Sequence, residues 1–312
     1  MKADAEILWL IGGIGGLLLT ASAVTFVLRR RAGAKGGAVL ENLAARVRAW
    51  WVMVLVFSLA LATGGIGSVV LFAFVSFFAL REFITLAPTN QADHRTLFWA
   101  FFVITPLQYY LVAMEWYGLF SILIPVYALV FVAARGALQG DSRGFLERTA
   151  EIQWALMVCV YCISHVPALL TLKIPGYEGE NGKLLLVLVL VVQMSDVLQY
   201  VFGKLFGRTP IAPTISPNKT VEGFWGGALS ATALGTGLWW VTPFSWWEMA
   251  LMSFLIVLLG FMGGLVMSAI KRDRGVKDYG QLIEGHGGMM DRIDSLCFAA
   301  PVFFHLVRYI HT

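Results

Sequence analysis

Ser268–Asp294 reads SAIKRDRGVKDYGQLIEGHGGMMDRID, and apolar runs at 248–270 and 294–310 adjoin its two ends. The stretch holds five basic residues, five acidic residues and His286. Hydrocarbon tolerates such a density of charge only where partners or water compensate it. It is therefore either an anchoring loop in water or a polar site at a membrane face. The choice depends on what the rest of the chain is.

Outward from that stretch, the apolar runs keep recurring. Of the 312 residues, 58% are hydrophobic and 13% are charged, against about 45–50% and about 25% in soluble domains. The composition excludes an ordinary soluble protein and implies an all-α polytopic integral membrane protein with about 8–10 transmembrane helices. The runs long enough to be weighed as spans are 7–28, 50–63, 66–86, 97–114, 116–134, 152–172, 184–204, 223–241, 248–270 and 294–310. Run 50–63 is short, and Thr63-Gly64-Gly65 links it to the next, so the pair is either a tight hairpin or partly re-entrant. Arg29, Arg30 and Arg31 after the first run argue for a retained span rather than a cleaved leader. The chain divides into N-terminal spans, 1–150, and a C-terminal region, 151–312, that carries the chemistry-bearing loops.

With ten spans the basic loops fall on one side, and the loop Lys173–Lys183, whose charges roughly balance, is the polar exception on the other. Arg29–Arg31, Arg46 and Arg48 follow the first span, Arg135, Arg143 and Arg148 the fifth, Lys204, Arg208 and Lys219 the seventh, and Lys271–Lys277 the ninth. The positive-inside rule then puts these loops in the cytoplasm and both termini outside. Cys159 and Cys162 form CxxC inside an apolar run and read as packing residues, since redox or zinc chemistry wants polar, accessible surroundings. Gly12, Gly13, Gly15, Gly16, Gly260, Gly263 and Gly264 read as sites of close helix packing.

Two loops on the basic side carry the candidate chemistry. In the first, Asp196 lies within an apolar span, where a carboxylate is costly and marks a site or a helix-pairing contact. Ser216-Pro217 then reads as an N-cap with proline at the first helical position. That would put Lys219 in a first turn able to cradle phosphate, with Glu222 on the same face; an ordinary capped helix start with a surface ion pair is the alternative. In the second loop, Lys271, Arg272 and Lys277 precede Asp278, and His286-Gly287-Gly288 precedes Asp291-Arg292-Ile293-Asp294. A helix starting near Asp291 would place Asp291 and Asp294 on one face. With Asp278 they could hold a hard cation such as Mg²⁺, which favours oxygen ligands and bridges to phosphates. The alternative is a basic anchor whose acids balance its charge. Zinc does not fit a lone His286 among aspartates, and no GxxxxGK[ST] nucleotide loop is present.

Ser268-x-Ile270-Lys271-Arg272, Lys277-Asp278-x-Gly280, His286-Gly287-Gly288 and Asp291-Arg292-Ile293-Asp294 together resemble the signature of the phosphatidate cytidylyltransferases, the CDP-diacylglycerol synthases. Ser216-Pro217-Asn218-Lys219-Thr220-Val221-Glu222-Gly223 resembles that family's SPxKTxEG motif, and Asp196, Tyr200, Gly203 and Gly207 the stretch before it. The resemblance covers about 195–298; the N-terminal half adds only its spans and Arg81-Glu82. Glu284 stands where the family has Pro, Gly or Ser, and Val197-Leu198-Gln199-Tyr200 replaces its TGAY.

The resemblance implies a nucleotidyltransferase that moves CMP from CTP to phosphatidate or a related lipid phosphate and releases pyrophosphate. It implies Mg²⁺ as cofactor, with one or two ions, and Asp196, Asp278, Asp291 and Asp294 as its ligand candidates. Asp278, His286, Asp291 and Asp294 become catalytic candidates. Ser216, Lys219, Glu222, Lys271, Arg272, Lys277 and Arg292 become the substrate and phosphate contacts. The expected partners are CTP, the lipid phosphate and membrane lipid, with no nucleic acid, and a homodimer is what the family suggests. The expected location is the bacterial inner membrane with the site facing the cytoplasm. The competing readings are an enzyme acting on another lipid phosphate or alcohol, such as a lipid kinase, and an ion-coupled transporter. No internal repeat of the kind transporters carry is visible.

Overall fold

The computed structural model describes residues 2–32, 37–283, 285 and 287–312. The helices are α1 Lys2–Ala32, α2 Gly37–Ala62, α3 Gly64–Leu86, α4 Gln91–Ala113, α5 Tyr117–Ala137 and α6 Phe145–Thr171. Then come α7 Asn181–Phe206, a two-stranded hairpin (β1 Pro210–Ala212, β2 Ser216–Thr220), α8 Val221–Thr236, α9 Trp246–Asp273 and α10 Met290–His311. Lipid offers no partners to backbone N–H and C=O groups, so apolar runs satisfy them internally as helices. Among the described residues nine of these helices are long and apolar enough to cross a membrane.

The exception by length is α8, with 16 residues, or about 24 Å of rise. It nevertheless runs antiparallel to α7 along a glycine seam. Cβ atoms at Gly223, Gly227 and Gly235 would meet Gly203, Gln199 and Val191 in turn. A 3₁₀ turn, Trp239–Val241, extends its reach, and the Tyr177 hydroxyl donates to the Val241 carbonyl oxygen at the opposite face. The expected span 223–241 is thus a short helix plus a turn.

The expected short run 50–63 is corrected: α2 has 26 residues. The charges at Glu41, Arg46 and Arg48 end the apolar run but not the helix, because at a membrane face they extend it into water. Gly64, at φ +83°, makes the tight turn into α3. The pair is a hairpin of two full-length helices.

Contacts sort the helix ends onto two faces. On the basic face Arg46 Nε donates to the Gly285 carbonyl oxygen (3.1 Å), and Arg274 pairs with Glu151. On the opposite face Lys183 is buried between Glu180 (2.7 Å) and Glu6, and Lys173 pairs with Glu115 (3.1 Å). This is the division that the loop charges predict.

Three spans contain wide π-helical turns, at Ala100–Ile104, Leu123–Ala128 and Leu156–Cys162. The last buries Cys159, whose thiol lies 3.8 Å from the Met290 sulfur; all three cysteines are free. The glycines divide. Gly263 faces the Asp294 carbonyl oxygen and Phe298 so closely that a Cβ would stand 2.5 Å from that oxygen. Gly12, Gly13, Gly15 and Gly16 meet nothing within 4 Å. Close helix packing therefore accounts for Gly263 within the chain and not for the glycines of α1.

Candidate functional site

The site lies on the basic face, where α7, α9, α10 and the β1–β2 hairpin meet. The hairpin is the first departure from sequence expectation. Ser216–Thr220 is a strand, with Thr220 opposite Pro210 and Ser216 opposite Ala212. Proline at 217 disfavours helical backbone at 216, and the true N-cap is Thr220, whose Oγ1 accepts from Gly223 N at 3.1 Å. Lys219 therefore precedes α8 and reaches inward from a strand, instead of lying on a first helical turn.

Glu222, in the first turn, does not share a helical face with Lys219. Its carboxylate accepts from Arg208 N (2.9 Å), Thr209 N (3.1 Å) and Thr209 Oγ1 (2.9 Å). Those backbone donors hold its pKa down at about 2, and its role is to close the turn between α7 and the hairpin.

Asp196 of α7 and Asp294 of α10 are brought together by a residue that the sequence reading passed over. Ser295 Oγ donates to Asp196 Oδ1 at 3.1 Å, while Ser295 N donates to Asp294 Oδ1 at 2.8 Å. Both carboxylates sense the charges of Lys219 and Arg292. Lys219 Nζ sits 4.7 Å from the Phe261 ring centroid. A Cβ at Gly264 would stand 2.9 Å from that ammonium and 3.3 Å from Ser295 Oγ. Gly264 thus leaves the space that the lysine occupies. Removal from water pulls the Lys219 pKa below the ordinary lysine value, and Asp196 and Asp294 partly offset this. Desolvated charge interacts more strongly with an incoming phosphate than exposed charge does.

Asp291 is placed differently. Its Oδ1 accepts from Lys271 Nζ at 2.7 Å, and its Oδ2 accepts from Tyr279 N (2.9 Å) and Gly288 N (3.0 Å). Both oxygens are engaged by the chain. Lys271 also lies 5.5 Å from the Tyr279 ring centroid, and its charge is felt at Asp294. The pair Lys271–Asp291 therefore braces the loop beside the Asp196–Asp294 pair. Asp278 and Lys277 are exposed on the rim, with Asp278 beside Gly287. Arg272 donates to the Ile215 carbonyl oxygen (3.1 Å), tying α9 to the hairpin turn just before β2, which Ser216 begins. Arg292 is half-buried, and its Nε has no hydrogen-bond partner among the described residues. His286 and Glu284 lie outside the described residues.

Glu82 of α3 is the other member that the sequence barely signalled. It is buried, and its two oxygens accept from Met289 N and Met290 N, each at 2.9 Å. A carboxylate there satisfies orphan donors at the start of α10 and complements its dipole. Gly280 and Gly288 exist to admit it: a Cβ at Gly288 would stand 2.3 Å from Glu82 Oε2, and one at Gly280 2.7 Å from Oε1. The paired glycines before Asp291 thus make room for two carboxylates, Glu82 at Gly288 and Asp291 at Gly287.

No group of three His, Cys, Asp or Glu side chains gathers to hold a metal among the described residues. Asp196 and Asp294 form a pair, and hydrogen bonds within the described chain reach only Oδ1 of each. Two hard oxygens from two carboxylates suit Mg²⁺, which commonly takes one or two carboxylates and completes its shell with water and substrate phosphate.

Comparison with known proteins bears on what this arrangement does. The sequence profile described as the cytidylyltransferase family matches residues 44–310. An uncharacterized protein of Escherichia coli K12, YnbB, is 38% identical over 298 residues, which is 94% of this chain and 95% of that one. A phosphatidate cytidylyltransferase of Mycobacterium leprae is 39% identical over 57% of this chain and 55% of its own. One of Synechocystis is 46% identical over 36% of this chain and 39% of its own. The chain thus spans about half, or less, of the length of these two named enzymes.

Proposed function

We infer that this chain, which belongs to the cytidylyltransferase family, transfers a cytidylyl group from CTP to the phosphate of phosphatidate or a closely related lipid phosphate. The observation that carries this reading is the meeting of Asp196, within α7, Asp294, near the start of α10, and Lys219, from the hairpin, around Ser295. In this reading the nucleotide approaches from the basic face and the lipid phosphate from the bilayer.

In the proposed reaction an oxygen of the lipid phosphate attacks the α-phosphorus of CTP. The bond from that phosphorus to the β-phosphate oxygen breaks, and pyrophosphate leaves. Such chemistry depends mostly on positioning and on charge stabilisation. Lys219 supplies a desolvated cation for a phosphate oxygen. Arg292 adds a second, its Nε unspent within the described chain. Arg272 and Lys277 stand exposed at the entrance and draw in the polyanionic nucleotide. Asp196 and Asp294 would hold Mg²⁺, which when bound neutralises charge on the phosphate oxygens. Asp291, with both oxygens engaged, keeps Lys271 and the loop in place. The loop charges support a cytoplasmic position for this face, where CTP is available.

The direct test is incubation of the purified protein with labelled CTP, Mg²⁺ and a panel of lipid phosphates. Formation of a labelled CDP-lipid and pyrophosphate is expected, and omission of Mg²⁺ abolishes it. Folded protein that makes no CDP-lipid from any lipid phosphate refutes the reading.

Gly264→Ala tests the role of Lys219 more finely. The new methyl group stands 2.9 Å from the ammonium, too close to be accommodated, and the flexible lysine tip swings away at little cost in stability. A displacement of about 1 Å near the reacting groups lowers turnover by roughly a hundredfold. The expected result is that loss with an almost unchanged melting temperature in detergent. A wild-type rate removes the Lys219 position from the site.

A further inference from the structure

We propose that the cavity on the face opposite the reaction site, between α4, α5, α6 and α10, binds a phosphate group. The cavity measures about 290 Å³. Its polar lining includes Glu115, Tyr117, Lys173 and Arg308, above an apolar floor that includes Phe120 and Phe304. That volume approaches the lower end of ligand pockets, about 300 Å³, and accommodates a headgroup.

Two observations point to an anion. First, Arg308 lies at the opposite end of the molecule from the basic loops, where Lys and Arg are otherwise scarce. Its guanidinium carbon sits 3.3 Å from the Tyr117 ring centroid, and among the described residues it has no side-chain hydrogen bond or ion pair. A ring face holds the cation without consuming its five N–H donors, which are therefore available to phosphate oxygens. Tyr117 is itself fixed, its hydroxyl 3.3 Å from His305 Nδ1 and its ring stacked on Phe304. Second, Lys173 at the rim is paired, among the described residues, only with Glu115, 3.1 Å away and exposed. Exposed pairs of this kind are weak, so Lys173 can turn to an anion in the cavity. Glu115, at φ +55°, is the only non-glycine residue with left-handed backbone among the described residues, and such conformations concentrate at ligand sites.

The phosphate can come from a phospholipid headgroup in the facing leaflet or from free inorganic phosphate. Native mass spectrometry of the delipidated full chain in detergent separates the two. The chain is titrated with phosphatidylglycerol, with diacylglycerol or with inorganic phosphate. Lipid bound at the reaction site is common to all variants and cancels in the differences. Arg308→Gln is expected to weaken one phosphatidylglycerol-binding step about tenfold, and Lys173→Gln to weaken it less. Diacylglycerol binding and CDP-lipid formation are expected to stay at wild-type levels. The same loss with inorganic phosphate, and none with phosphatidylglycerol, assigns the site to the free anion and supports the phosphate chemistry. Equal binding of both phosphate probes by wild type and both variants overturns the proposal. If Arg308→Gln fails to fold, Lys173→Gln on the exposed rim decides alone.

Discussion

Asp294→Asn protein is expected to make CDP-lipid about a thousandfold more slowly than wild type, the upper end of the scale set by loss of a charge-stabilising group. The argument rests on what asparagine keeps. Its side-chain oxygen can still accept from Ser295 N, now 2.8 Å from Asp294 Oδ1, so α10 keeps its local bonding. The negative charge beside Asp196 and Lys219 is lost, and with it the second carboxylate able to hold Mg²⁺. The variant should insert in the membrane and purify as wild type does. The check is the labelled-CTP assay alongside a thermal melt. A near-normal rate takes Asp294 out of the reaction; a collapsed melt with proportionate loss makes its role structural.

Glu82→Ala is expected to lower stability and activity together. The substitution strands Met289 N and Met290 N, which donate to Glu82 at 2.9 Å each, and opens a hole against Gly280 and Gly288. A buried donor left without a partner costs about 1–3 kcal/mol. Because those donors start α10, the position of Asp294 loosens with them, and turnover should fall at least about tenfold. Glu82→Gln is informative beside it. One amide oxygen can serve one N–H, while the amide nitrogen faces the other, so only part of the loss is recovered. Full activity and an unchanged melting temperature in Glu82→Ala would show that the loop is held without this carboxylate.

These two residues mark how far the sequence can be read. Asp294, Asp196 and Lys219 were legible because a charged side chain next to lipid is expensive and because their motifs resemble a known family. Their convergence depends on the packing of α7, α9, α10 and the hairpin, of which the loop charges implied only the common face. Glu82 was nearly invisible. Its partners lie 207 and 208 residues away, and no local pattern records a contact across that distance. Ser295 was hidden for another reason: one hydroxyl beside Asp294 looks like any small polar residue until α7 is packed against it. The start of α8 was misread because Ser-Pro is a strong local helix signal, whereas pairing with Pro210–Ala212 held those residues extended. In the glycines of α9 the packing reading was sound for Gly263 but incomplete for Gly264, whose missing Cβ shapes the lysine's seat.

The bond between Glu82 and the start of α10 also has a consequence in time. The ribosome adds about 5–20 residues per second, so the 207 residues from Glu82 to Met289 take roughly 10–40 s to make. During that interval α3 can already be in the membrane with its carboxylate unpartnered. The helix that relieves it, α10, is made that much later and brings Asp291, Asp294 and Ser295 with it. Relief of the waiting carboxylate and assembly of the candidate site therefore coincide. A nascent chain interrupted before α10 holds the basic loops but lacks Asp291, Asp294 and Ser295.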